Sequence, residues 1–322
     1  MEIRTVDYHT GGEPFRIVPE PPVAIRGRTV AERRMFAIDD PDVDGLRRLL
    51  CFEPRGHADM YGGFIVPPND DGARFGVLFW HKDGFSTACG HGTIALGVWA
   101  VRSGLVDAPD DGVTDVPIDV PSGRVVARVH TAGGNVTAVD FVSVPSYHIA
   151  TRTIGGMFVD ISFGGAIYAQ LDVATVGLTV TPGRHQTLIA FGRKVKRALA
   201  DDPVSKHPID ERLSGVYGTI LYETLSPLHQ RNVTIFADGE LDRSPCGSGT
   251  AARVATLTAA GVMRPGDTLV HDSIVGSRFT ATATPGPGGT VIPIVTGMAY
   301  PTGEHRFTVD PGDPMTPGFV LR

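Results

Sequence analysis

Cys89-Gly90-His91-Gly92-Thr93-Ile94-Ala95 and Cys246-Gly247-Ser248-Gly249-Thr250-Ala251-Ala252 share the pattern C-G-x-G-T-x-A, with the cysteines 157 positions apart. Each copy follows polar, turn-forming sequence and leads into an apolar run. After Thr93 the residues Ile94, Ala95, Leu96, Val98, Trp99, Ala100 and Val101 are apolar on every side, which predicts an enclosed helix rather than a surface one. The second run, Ala251 to Ala260, carries small apolar residues on most sides and stops at Gly261. The repeat implies two related halves, each of several short strands wrapped around one buried helix, each presenting one thiol in the same local geometry.

The rest of the chain fits that plan. At 322 residues it exceeds what one hydrophobic core usually serves, so two domains are expected. Gly and Pro contribute 40 and 25 residues, a composition suited to many short strands and tight turns. Strand-like segments flank Gly11-Gly12 as a hairpin, and a helical pattern over residues 28–50 is interrupted at Asp39-Asp40-Pro41. Phe64-Ile65-Val66 and Gly76 to Trp80 read as strands, as do residues 116–120, 125–129 and 136–142. Further strands are expected over 157–162, 166–171, 217–223 and 232–237, with a helix near 183–200. The turn Pro121-Ser122-Gly123 suggests a passage between domains between residues 120 and 130.

The net charge of -6 and the lack of a long Lys/Arg run exclude nucleic acid and anionic membranes as expected partners. The densest basic stretch, Arg193 to Arg197, reads as a solvated helix face. No signal peptide or membrane span is apparent, and Cys51, Cys89 and Cys246 are too few for a disulfide framework, so a cytoplasmic, reducing location is expected. Cys51, set against Leu49, Leu50 and Phe52, reads as core.

A cysteine just ahead of a helix sits where free backbone N–H groups and the positive end of the helix dipole converge, and both favour the thiolate. The glycines clear the turn, so the amides of Gly90-His91 and Gly247-Ser248 could face an external anion such as a carboxylate. Two such sites facing one another would place a sulfur on either side of the adjacent carbon. One thiolate would remove a proton and the opposite thiol would return one, inverting the stereocentre. Asp242, four residues before Cys246, suits either an ammonium partner or a helix cap. His91 could tune Cys89 or contact water. His57 and Asp59 lie in a loop, Glu53 to Gly63, of the kind from which sites are built.

The two repeats, together with Asp242-Arg243-Ser244-Pro245-Cys246-Gly247-Ser248-Gly249-Thr250, Glu53-Pro54-Arg55-Gly56-His57 and Asp7-Tyr8-His9-Thr10-Gly11-Gly12-Glu13, resemble the proline racemase family of proline racemases, hydroxyproline 2-epimerases and trans-3-hydroxyproline dehydratases. The likeness runs from residue 7 onward. It implies an α/β fold of two pseudo-symmetric domains like that of diaminopimelate epimerases, each a strongly curved, mostly antiparallel sheet around a central helix. Residues 1–125 would carry Cys89, with 301–322 as a candidate completion, and residues 126–300 would carry Cys246. The likeness also implies Cys89 and Cys246 as acid/base residues with no cofactor and no metal. The amides of Gly90, His91, Gly247 and Ser248 would bind carboxylate, Asp242 would contact the substrate ammonium, and Tyr61 and Phe236 would wall the ring. The expected partner is a small imino acid, and a homodimer is left open.

Dehydratases of this family carry Thr where this chain has Cys246, since loss of a β-hydroxyl needs no second base. Cys246 therefore favours racemisation or epimerisation of proline or a hydroxyproline. The surroundings, Gly56 to Tyr61 and Phe236 to Gly239, look more like the proline racemase and dehydratase branch than the 4-hydroxyproline epimerase branch, so dehydration of trans-3-hydroxy-L-proline is the alternative. A Cys-His thiol hydrolase would leave the second motif unexplained. A zinc module would want paired ligands at short spacing, and a PLP enzyme would want a dedicated lysine that neither repeat contains.

Overall fold

The computed structural model describes residues 2–321. Its described residues form a sheet of eighteen strands and five α-helices: α1 (Val30–Asp39), α2 (Pro41–Cys51), α3 (Gly90–Arg102), α4 (His185–Ala198) and α5 (Gly247–Ala259). The hairpin expected at Gly11-Gly12 joins Glu2–Thr10 to Glu13–Val18, with Thr10 opposite Glu13. Gly11 and Gly12 have φ of 60° and 94°, as a tight two-residue hairpin turn demands. The helical pattern over 28–50 is two helices. Asp40 ends α1 and caps α2, accepting from the amides of Asp42 and Val43, while Pro41 takes the first helical position, where its missing N–H costs nothing.

One pairing scheme occurs twice. Glu13–Val18 runs parallel to Gly62–Val66, which pairs antiparallel with Phe75–His81. That strand takes Gly84–Phe85 antiparallel and Gly112–Val120 parallel, and Gly123–Ala132 and Asn135–Val142 continue as a meander. Ile167–Asp172, Val216–Ser226, His229–Phe236, Glu240–Leu241, Leu269–Ser273, Arg278–Pro285 and Val291–Gly297 repeat these places and directions. α3 and α5 occupy the same position in the two schemes, between the short strand and the next parallel one. Residue 125 lies inside Gly123–Ala132, and the scheme starts over with Tyr147–Ile154, a strand the sequence pattern did not single out. Tyr147–Ile154 edges the second scheme beside Met157–Phe163, as Ala299–Thr308 edges the first beside Glu2–Thr10. The halves are joined by an antiparallel ladder in which Val139 to Val142 face Gly297 to Ile294.

Burial follows the sequence pattern. Every residue from Gly90 to Ala100 and from Gly247 to Leu257 is buried, so both repeat helices are enclosed by sheet. A single apolar cluster runs from Tyr8 to Ala299 around them. A second cluster, with Leu46, Leu50, Phe64 and Trp80 at its centre, seats α1 and α2 and takes in Cys51. The Cys51 thiol donates to the Met60 carbonyl at 3.4 Å, and burial raises its pKa, so it is a core residue as expected. Among the described residues, no helix is long and apolar enough to cross a membrane.

Candidate active site

The two helix starts meet. A Cβ on Gly90 would lie 2.6 Å from the backbone of Gly247, and one on Gly247 would lie 2.7 Å from that of Gly90. Only glycine permits the N-termini of α3 and α5 to abut in this way. The second glycine of each motif makes room for sulfur: a Cβ on Gly92 or on Gly249 would stand 2.8 Å from Sγ of Cys89 or Cys246. The motif threonines tie each helix to the lead-in before it, Thr93 Oγ1 to the Cys89 carbonyl at 2.8 Å and Thr250 Oγ1 to the Pro245 carbonyl at 3.0 Å. The glycines and threonines shared by the two copies thus have packing reasons, and both thiols lie beside the same pair of positive helix ends.

Around Cys246 the preceding residues act as a brace. Asp242 Oδ1 accepts from the amide and the hydroxyl of Ser244, at 2.8 and 2.7 Å, and Ser244 Oγ accepts from the Cys246 amide at 3.0 Å. The helix cap residue is Cys246 itself, with no side-chain cap bond, so Asp242 is not the cap that its spacing allowed. Cys246 stands at φ 63°, a left-handed conformation costly for a residue with a Cβ. Cys89 is extended, and its Sγ accepts from the Gly92 amide at 3.2 Å, an ordinary N-cap made by sulfur.

The remaining expected side chains converge here. The His91 ring lies 3.5 Å from Cys89 Sγ through Nδ1, and it is buried, so it contacts the thiol rather than bulk water. Burial lowers its pKa to about 3, with the Pro14 carbonyl pulling the other way, and the ring is neutral. Tyr61 packs edge-on to His91 at 5.0 Å between ring centroids and lies 5.7 Å from Phe236. The Tyr61 hydroxyl bonds the Ser86 hydroxyl and lies 3.1 Å from that of Tyr217. Ser248 shares a hydrogen bond with the Tyr168 hydroxyl at 2.7 Å.

Electrostatics depart from the sequence expectation. Both thiols are pushed up, not down. For Cys89 burial dominates; the Gly92 amide pulls back, and the charges of Asp242, Cys246 and Glu13 add to the rise. For Cys246 burial is again first, followed by the charge of Asp242. The helix ends act in the expected direction but lose to desolvation in a shut cleft. Asp242 is itself raised, to about 6, by burial against the opposing bonds from Ser244. Glu13, buried in the strand after the Gly-Gly turn, is raised well above the carboxylate range by burial and by Asp242.

The halves are latched by one segment. The amides of Asp238, Leu241 and Arg243 donate to Asp83, Asp59 and Glu13 of the other half, at 2.8, 3.3 and 2.7 Å. Arg243 adds an ion pair to Asp59 at 2.7 Å. Asp59, a loop residue in the sequence reading, is therefore a cross-tie. Beside the latch, single atoms of His81, Asp83 and Glu240 lie within 4.8 Å of one another. Asp83 holds Lys82 at 2.6 Å, and His81 Nδ1 accepts from the Asp83 amide while lying 3.0 Å from Glu240 Oε1; both Glu240 carboxyl oxygens are buried without a hydrogen-bond partner. Burial lowers the His81 pKa to about 3 and raises that of Glu240.

Sequence reasoning missed Glu13, Ser86, Tyr168 and Tyr217 as parts of this site. Glu13 alone carried a signal, an acid at a strand start directly after a Gly-Gly turn. The others lie on strands and loops brought together by pairing between distant segments.

The fold is of the two-half kind, a curved sheet around two enclosed helices whose N-termini meet. A predicted epimerase from Pseudomonas aeruginosa shares the fold at a TM-score of 0.61 and 14% identity, over 96% of this chain and all of that one. The sequence profile of the family described as proline racemase matches residues 5–320, and the chain belongs to that family. It is similar to a trans-3-hydroxy-L-proline dehydratase from Bacillus cereus, 40% identical over 98% of this chain and 97% of the relative. It is also similar to a 3-hydroxyproline 2-epimerase from Burkholderia multivorans, 41% identical over 99% and 98%. A hydroxyproline epimerase from Agrobacterium vitis, solved with trans-4-hydroxy-L-proline, superposes at a TM-score of 0.91 with 30% identity, covering 99% of this chain and 96% of that one.

Proposed function

We propose that the protein inverts the α-carbon of proline or a hydroxyproline, with Cys89 and Cys246 as opposed base and acid. The observation that carries this reading is the backbone contact of Gly90 with Gly247, which sets one thiol on each of two abutting helix ends. The substrate carboxylate would take the amides of Gly90, His91, Gly247 and Ser248, as anions do at helix starts. Asp242 would hold the ammonium, and Tyr61 with Phe236 would enclose the ring. The ammonium supplies the positive charge that the buried thiols and Asp242 lack, so substrate entry itself favours a thiolate. One sulfur then takes the α-proton while the other gives its proton to the opposite face. On return the roles are exchanged.

In deuterated buffer the protein is expected to label and invert the α-carbon of at least one of L-proline, trans-4-hydroxy-L-proline and the 3-hydroxyprolines. No exchange with any of them ends this reading. Dehydration of trans-3-hydroxy-L-proline is the second reading, supported by the name of the Bacillus cereus relative. It predicts a ring imine trapped by an aromatic amine reagent that forms a coloured adduct, and inversion without imine excludes it.

A further inference from the structure

Outside the thiol site, beyond the Tyr61 and Tyr217 hydroxyls, a cavity of about 540 Å³ opens between the halves. Arg34 of α1 lines it from one side and Arg193, Lys196 and Arg197 of α4 from the other, with Asp83 and Asp238 between them. The basic stretch that reads in sequence as a solvated helix face therefore lines in part a cavity between the halves.

The two acids are already taken. Asp238 pairs with Arg193 at 2.9 Å and Arg197 at 3.6 Å, and Asp83 pairs with Lys82. Arg34 and Lys196 have no ion pair among the described residues. Arg34 donates only to the carbonyls of Phe85 and Arg212, at 2.8 and 3.3 Å, and Lys196 only to that of Ala237. Both are half-buried, and burial lowers the pKa of each. The charges of Asp83 and Asp238 reach Lys196 without pairing with it, and half-buried cations with no ion-pair partner are costly, so a guanidinium fork and an ammonium lining one cavity form a receptor for an oxyanion.

We propose that this cavity binds a carboxylate or phosphate oxyanion between Arg34 of one half and Lys196 of the other, at the mouth of the thiol site. The anion would contact both halves and favour the shut cleft. None of the residues invoked belongs to the thiol chemistry, so the proposal stands apart from the inversion reading.

The test follows thermal unfolding while sodium phosphate and, separately, sodium acetate are titrated at an ionic strength held constant with sodium chloride. Wild type is compared with Arg34→Gln, Lys196→Gln, the charge-keeping Arg34→Lys, and Lys194→Gln, which alters an exposed lysine of the same helix. A saturable rise in midpoint is expected in wild type and Lys194→Gln. Apparent affinity is expected to fall at least tenfold in Arg34→Gln and Lys196→Gln, with part recovered in Arg34→Lys. A response to phosphate alone or acetate alone assigns that anion; a response to both assigns any small oxyanion. Unchanged affinity in Arg34→Gln and Lys196→Gln would place the anion elsewhere, such as the helix ends of the thiol site, and overturn the proposal. So would the absence of a rise in wild type with either anion. If one Gln variant fails to fold, the other decides. Neither anion is turned over, so failure here is distinct from failure of the inversion assay.

Discussion

The two copies of C-G-x-G-T-x-A form the same enclosed helix, with glycines serving the same clearances, yet what precedes them differs at every position. Ahead of Cys89 stand Phe85, Ser86, Thr87 and Ala88; ahead of Cys246 stand Asp242, Arg243, Ser244 and Pro245. Ser86 bonds the Tyr61 hydroxyl, while its counterpart Arg243 pairs with Asp59 across the cleft. Thr87 donates to the Gly165 carbonyl at 2.9 Å, away from its own cysteine, whereas Ser244 turns inward and holds the Cys246 amide. Cys89 is relaxed and capped by its own sulfur; Cys246 is held in left-handed backbone by a braced loop. The helix ends are alike because abutting backbones leave no room for variation, and the lead-ins differ, one bonded to Tyr61 and the other in a charged contact between the halves.

That division can be broken at four depths. Removing either sulfur has the largest expected effect: Cys89→Ala and Cys246→Ala should each lower inversion by about 10²–10⁴-fold. Each should still exchange the α-hydrogen of one enantiomer, and the two variants should prefer opposite enantiomers when deuterium uptake is followed by NMR. A shared preference would contradict opposed thiols.

Next come the clearances. Gly90→Ala and Gly247→Ala should each cost about 1–3 kcal/mol in denaturant unfolding, since each methyl meets the facing backbone. Gly45→Ala in α2, with open space around it, should instead stabilise by about 0.5–1 kcal/mol. Similar losses for Gly90 and Gly247 would mark the shared part of the repeat.

The lead-ins should then differ. Ser244→Ala strands the buried Cys246 amide and should cost about 1–3 kcal/mol, against about 1 kcal/mol for Thr87→Ala. Equal costs would remove the asymmetry.

The mildest effect is that of pH. With Asp242 at about 6, kcat/KM should fall roughly tenfold per unit below that pH, because a protonated carboxyl cannot hold an ammonium, and Asp242→Asn should lack that limb. Stability carries the opposite sign. The folded pKa exceeds the unfolded value of about 3.9, so the proton favours the fold. That contribution is complete below about pH 4 and is lost as pH rises through about 6.

Much of this was legible from local pattern. An apolar run on every face announced α3 and α5, Gly11-Gly12 announced the hairpin, and Asp40-Pro41 announced the break between α1 and α2. Local pattern could not give the thiol ionisation, because a helix dipole is a property of ten residues whereas desolvation depends on both halves closing. It could not give Tyr217 or Tyr168 for a related reason: nothing near them in sequence resembles a site until Val216–Ser226 and Ile167–Asp172 are laid beside α5. Asp242 was ambiguous between cap and ligand because spacing alone cannot say which way a turn is wound. The cap position, taken by Cys246, rules out the cap.

The ladder between Val139–Val142 and Ile294–Gly297 sets how the molecule can move. It is the spine of a book whose pages are the two halves, and the clasp is the segment from Asp238 to Arg243, whose three amides lie on carboxylates of the opposite page. On the proposed function, opening to admit a substrate would free the clasp and leave the spine paired. In amide hydrogen exchange the clasp should therefore surrender its protons at the rate of opening, and the spine only when the whole protein unfolds.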